Sequence, residues 1–140
     1  MKLPKSRKPR TRKGVATVEL AFVLPAFIAL AFGSIEICQR LHIKQSVVIA
    51  AYESCRVATR PIATTEMVST QCELLLLQQN VQGATVQVRN ITQGQNNLDG
   101  VATGDEIRIR ITVPWADNVV SRYVIGDSGT FQVQAFMLRE

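Results

Sequence analysis

Glu19 is the first residue whose setting asks for a chemical explanation. It is the single charge in the apolar run VATVELAFVLPAFIALAFGSI, residues 15–35. A carboxylate there is costly unless it is paired or lies near an interface. One reading is an interfacial side chain that snorkels to water. Another looks for a cationic partner just upstream. Val15 lies four residues before Glu19, directly after Gly14. A cut after Gly14 would leave a free amine on Val15. Glu19 would then neutralise that amine on its own chain or on a neighbour's.

The element that positions Glu19 is a helix. At ~1.5 Å per residue, residues 15–35 span about 31 Å, the thickness of a bilayer's hydrocarbon core. The alternative is a buried core helix, but a chain of 140 residues is too short to wrap a helix that is apolar all round. Pro25 removes one intrahelical hydrogen bond and is expected to kink or loosen the segment. Gly33 gives a second soft point near the far end.

The charge distribution orients this segment. Lys and Arg total 16 against 11 Asp and Glu, a net +5. Seven of those bases fall in MKLPKSRKPRTRKG, residues 1–14, and the remainder carries −2. The basic character therefore belongs to a leader, which argues against a nucleic-acid-binding domain, whose charge sits on the folded part. A basic flank before an apolar helix places the N-terminus in the cytoplasm. At 46% hydrophobic and 19% charged, the chain is not a disordered polymer. Its three cysteines are too few for a disulfide-built scaffold.

Beyond residue 35 the helical period continues. Ile37, Leu41, Val48, Tyr52 and Cys55, with Ala51, predict one apolar face, and His42, Ser46 and Glu53 the opposite one. The helix is expected to run from about 15 to 60, stopped by Pro61, or to break near Gly33 and Ser34. A second helix is expected over 64–80. Thr64 or Thr65 would cap it, Met67, Cys72, Leu75 and Leu76 would form its apolar face, and the stretch up to Gly83 would stop it. The period then changes to two. Val86 and Val88 alternate with Gln87 and Arg89. Ile107, Ile109, Ile111 and Val113 alternate with Arg108, Arg110 and Thr112. Phe131, Val133, Ala135 and Met137 form a third set. Three alternating strands predict an antiparallel sheet, wet on one face and packed on the helices with the other. The class expected is α+β, with a short helix near 117–125. The domains are a basic cytoplasmic leader (1–14), a transmembrane helix (15–35) and an exported domain (36–140).

Cys55 and Cys72 would lie outside the inner membrane, where disulfides persist. A turn at Pro61 would make their helices antiparallel neighbours, so a bond or two buried thiols are both open. Cys38 reads as a small unpaired hydrophobe or an intermolecular link. His42 with Cys38 at i, i+4 is too small a ligand set for a metal. The acids Asp99, Asp105, Glu106, Asp117 and Asp127 lack EF-hand spacing. Arg108 and Arg110 read as a solvated face, with contact to an acidic partner as the alternative. Asn90-Ile91-Thr92 fits the glycosylation pattern. There is no nucleophile elbow, P-loop or dinucleotide fingerprint. No catalytic residue, metal or cofactor is expected, and the chain is not expected to be an enzyme.

Gly14-Val15-Ala16-Thr17-Val18-Glu19, between a basic leader and an apolar helix, resembles the processing site of type IV pilin-like proteins. The run from Gly14 to Glu36, and VELAFVLP (18–25) above all, resembles TadE-like pseudopilins of tight-adherence (Flp-type) pilus systems. The resemblance implies cleavage by a prepilin-type peptidase between Gly14 and Val15. It also implies a registry role for Glu19 and a place among other pseudopilins in the inner membrane, with the C-terminal domain periplasmic or extracellular. Two other accounts stay open. One is an uncleaved, membrane-tethered binding module. The other is a secreted domain cut after Ala31, since Ala29-Leu30-Ala31 fits a signal-peptidase site; Glu19 and Pro25 inside the apolar stretch argue against the latter.

Overall fold

The computed structural model describes residues 13–119 and 128–140. Among these residues there are two helices and three strands: α1 (Lys13–Ala58), α2 (Thr65–Gln78), β1 (Thr85–Asn90), β2 (Glu106–Pro114) and β3 (Thr130–Leu138). The fold is α+β, with a long apolar N-terminal helix, a second shorter helix and one antiparallel sheet.

α1 is 46 residues long, or about 69 Å at ~1.5 Å per residue. It passes Pro25, Gly33 and Ser34 without interruption. Ser34 returns its hydroxyl to the Leu30 carbonyl at 2.8 Å, a bond within its own helix. At the far end the Thr59 N–H bonds the Cys55 carbonyl (3.1 Å) and the Arg60 N–H the Val57 carbonyl (3.2 Å). Thr59 Oγ1 donates to the Arg56 carbonyl at 2.9 Å. These bonds satisfy carbonyls that the helix end would leave open, and Pro61 follows.

The apolar face of the second half of α1 is not the one its large residues predict. Ile37, Leu41, Val48 and Tyr52 are about half exposed, whereas Ser46 is buried. The buried face is Ile43, Val47, Ala50, Ala51, Ser54, Cys55 and Ala58, rotated roughly a quarter turn from the expected one. The reason is size. A stripe of Ala, Ser and Cys lets the helix lie close on the sheet, and bulky side chains would hold it away.

α2 begins where expected. Thr64 is extended (φ −102°, ψ 157°) and its hydroxyl accepts from the Met67 N–H, which is the N-cap bond. Its buried residues are Val68, Cys72 and Leu76, and Met67 faces solvent. Within the stretch expected to stop it, the closing residue is Asn80. Asn80 adopts φ 56°, its N–H bonds the Leu77 carbonyl and the Val81 N–H bonds the Leu76 carbonyl. That pair is a Schellman closure, and Asn tolerates the left-handed conformation it needs. Gly83 serves the next turn instead, since a Cβ there would lie 2.6 Å from Asp117 Oδ2.

The strand order is β1-β2-β3, all antiparallel. Val88 faces Ile109, and Ile109 faces Ala135. Ile107, Ile109, Ile111 and Val113 of the central strand are fully buried. They meet Val47 and Cys55 of α1 and Val68, Cys72 and Leu76 of α2 in one core. Each such apolar side chain contributes roughly 1.5–3 kcal/mol on leaving water. The β1–β2 connection is tied at its base by Asp105. Its Oδ2 accepts from Gln93 Nε2 (2.7 Å), Asn90 Nδ2 (3.0 Å) and the Ala102 N–H (3.0 Å). The Ala102 N–H and then the Asn90 amide hold this carboxyl below its ordinary range. Arg139 closes the chain, donating to the Pro61 carbonyl. Residues 116–118 form a turn and Val119 is not helical; residues 120–125 of the short helix expected near 117–125 lie outside the described residues.

Candidate functional site

The first half of α1 stands clear of the domain. The apolar window that qualifies it to cross a membrane has 0% of its residues buried. Gly14 sits in the first turn, and a Cβ added there meets no atom within 4 Å. Val15 is 62% exposed, so the Gly14–Val15 bond is open to another molecule. Glu19 is exposed and lies one helical turn beyond Val15, on the same side. Pro25 is exposed within the continuous helix, where it leaves the carbonyl four residues earlier without its usual donor.

Where α1 leaves the apolar segment, the structure reveals a joint. Glu36 is fully buried although Ile35 and Ile37 beside it are half exposed. Glu36 Oε1 lies 3.7 Å from Arg40 Nη2, one turn along. The Arg40 guanidinium covers the Trp115 ring at 4.9 Å, and Trp115 stacks on Phe131 at 4.2 Å and 29°. Helix and sheet are thus clamped where the helix meets the domain. This role was not legible in the sequence. The signal was the Glu–Arg spacing of four, which marks a helical ion pair, but nothing in the sequence brings Trp115 to it.

The large apolar residues displaced from the core form a stripe on the outer side of α1. Ile37, Leu41, Val48, Ile49 and Tyr52 are each 46–57% exposed. The stripe continues the apolar surface of residues 15–35 along the part of α1 that packs on the sheet.

Cys55 and Cys72 are both fully buried in the core and both are free thiols. Cys55 Sγ donates to the Ala135 carbonyl at 3.4 Å. Burial pushes the Cys55 thiol up to about 11 and raises Cys72 as well. The neutral thiol is the form the fold selects. Its stabilisation is therefore complete below the ordinary thiol range and is lost as pH rises through about 11. Denaturation midpoints of the full chain are expected to fall across this window, and Cys55→Ala is expected to flatten that part of the profile. Maleimide at neutral pH is expected to label Cys38, which is exposed, and to reach Cys55 and Cys72 only after unfolding. Equal labelling of all three in the folded chain would contradict the burial.

His42 is exposed. Among the described residues no cluster of three or more His, Cys, Asp or Glu is placed to hold a metal. Asn90 of the glycosylation pattern is fully buried and bonded to Asp105. Thr92 accepts from the Glu106 N–H at 2.8 Å. In this fold the triplet is a loop anchor.

This geometry defines a class, a small α+β domain carried on an apolar helix long enough to cross a membrane, one such helix being found among the described residues. Residues 14–56 match the model of the TadE-like protein family. The match begins at Gly14 and ends near the C-terminus of α1, and α2 and the sheet lie beyond it. Comparison with curated proteins and with solved structures gives no significant match.

Proposed function

We propose that the chain is a minor pseudopilin, a membrane-anchored assembly component of a tight-adherence (Flp-type) pilus or related secretion system. The observation that carries this reading is the TadE-like match over 14–56, which starts at an exposed Gly14–Val15 bond at the head of an unburied apolar helix. The leader's bases keep residues 1–14 on the cytoplasmic side. The apolar helix anchors the subunit in the inner membrane, with the α2–sheet domain outside. A prepilin-type peptidase cuts after Gly14 and leaves the Val15 amine. Glu19 pairs with that amine, on its own chain or a neighbour's, and fixes the axial register between subunits. The outer stripe from Ile37 to Tyr52 extends the surface available to neighbouring helices beyond the bilayer. The clamp at Glu36, Arg40 and Trp115 holds the domain at a fixed angle to the helix.

The test is Glu19→Ala, with Glu19→Asp as the conservative variant. Both are surface changes in a helix, so the domain is expected to fold and the chain to remain in the membrane fraction. Glu19→Ala is expected to lose co-purification with partner pseudopilins and surface adhesion, and Glu19→Asp to retain part of both. Unchanged assembly in Glu19→Ala would remove the registry role from the account.

A further inference from the structure

The free edge of the sheet lies beside a group of arginines. Among the described residues β1 pairs only with β2. The Ile91 N–H points to β2 and bonds the Glu106 carbonyl (2.8 Å), whereas the Asn90 N–H points away and bonds the Gln95 carbonyl (2.9 Å). Backbone groups alternate direction along an antiparallel strand. Val88 and Val86 therefore turn their N–H and C=O groups to the outer edge. A cleft of about 510 Å³ runs along that edge, lined by Val86 and Val88, by Ser69 of α2 and by Arg89, Arg108 and Arg110.

The arginines occupy the face of the sheet opposite the core. Arg89 and Arg108 are direct cross-strand partners, an arrangement that is unfavourable for like charges left alone. The Nε atoms of Arg108 and Arg110 are buried and without a hydrogen-bond partner among the described residues. The ion pair found among those residues is Arg40–Glu36, remote from this face. An edge with open backbone groups and a cationic flank has the recognition chemistry of an extended acidic polypeptide.

We infer that the β1 edge binds an extended acidic segment of a partner protein as a fourth strand, with its carboxylates on Arg89, Arg110 and Arg108. On an added strand, side chains two residues apart share a face. The matching segment therefore carries Asp or Glu at alternate positions and apolar residues between them. A second copy of this chain is a poor occupant through the same edge, because β1 (TVQVRN) carries no carboxylate to pair with the arginines. This inference extends the pseudopilin reading to a partner of the exported domain but does not depend on cleavage after Gly14.

The experiment is fluorescence anisotropy with full-length protein in lipid nanodiscs and a labelled nine-residue peptide alternating Glu with Val or Thr. Two control peptides carry Gln for Glu, or N-methyl groups on the residues whose N–H would face β1. Saturable binding is expected. It should weaken at least about tenfold with either control, the loss expected for charge-assisted or main-chain bonds. Arg89→Gln and Arg110→Gln are each expected to weaken it at least about fivefold. Arg89 is exposed, so its variant keeps the fold, which circular dichroism checks. No binding by the acidic peptide would overturn the proposal. Equal binding by the N-methylated peptide would overturn it too, because the site would then be electrostatic only. Unchanged affinity in Arg89→Gln would remove the arginine face from it.

Discussion

Replacing Ile109 with Ala is expected to lower the stability of the folded domain by about 2–5 kcal/mol. Ile109 is fully buried at the middle of the central strand, between Val88 on one side and Ala135 on the other. Its removal loses the transfer free energy of the side chain. It also opens a cavity in a core that packs on both helices and relaxes only in part. In a domain of this size net stability is roughly 5–15 kcal/mol, so a loss near the upper end unfolds a substantial fraction of molecules at growth temperature. Pulse proteolysis of the full chain in nanodiscs measures it. Leu41→Ala supplies the contrast. Leu41 is 54% exposed, and its truncation is expected to cost under about 0.5 kcal/mol. A comparable loss in both variants would contradict the face that α1 turns to the core.

Gly14→Leu is expected to abolish maturation. An added side chain at Gly14 meets no atom within 4 Å, and Leu is a better helix former than Gly. The substitution therefore leaves helix and domain intact, and its effect falls on recognition by the peptidase. The expected result is a chain that stays in the membrane fraction at full length, with none of the shortened form. Assembly and adhesion are lost together, because the Val15 amine that Glu19 needs is never formed. Normal shortening in Gly14→Leu would show that the cut, if there is one, lies elsewhere.

The fold was legible wherever one periodicity ruled a segment. Ile107 to Val113 alternate without a break, and both the strand and its buried face followed. The cap at Thr64 was legible because its bond is local. The face of α1 was not. Residues 36–58 hold large apolar side chains on one side and Ala, Ser and Cys on the adjoining one, and hydrophobicity alone favours the larger set. The sheet selected the smaller set because close packing rewards fit. The surplus hydrophobicity is left as an exposed stripe on the outer side of α1, a surface that the proposed subunit packing would cover. The stretch that ends α2 was legible, but the residue within it that closes the helix was not. Gly83 is the stronger stop in composition, but Asn80 closes the helix by hydrogen bonds that only coordinates show. Gly14, Val15 and Glu19 were read as a motif, and the structure places Val15 and Glu19 one turn apart on an exposed stretch of helix. The clamp of Glu36 and Arg40 on Trp115 was not, since it joins residues about 75 apart in the chain, a pairing that tertiary folding alone makes.

The central claim is a cut between Gly14 and Val15 that turns a membrane precursor into an assembling subunit. Intact mass and N-terminal peptide analysis of the membrane-fraction protein test it most directly. The account predicts a mature chain that begins at Val15. A chain that begins at Met1 would contradict it and leave a tethered binding module, and a chain that begins at Phe32 would make the protein a secreted domain.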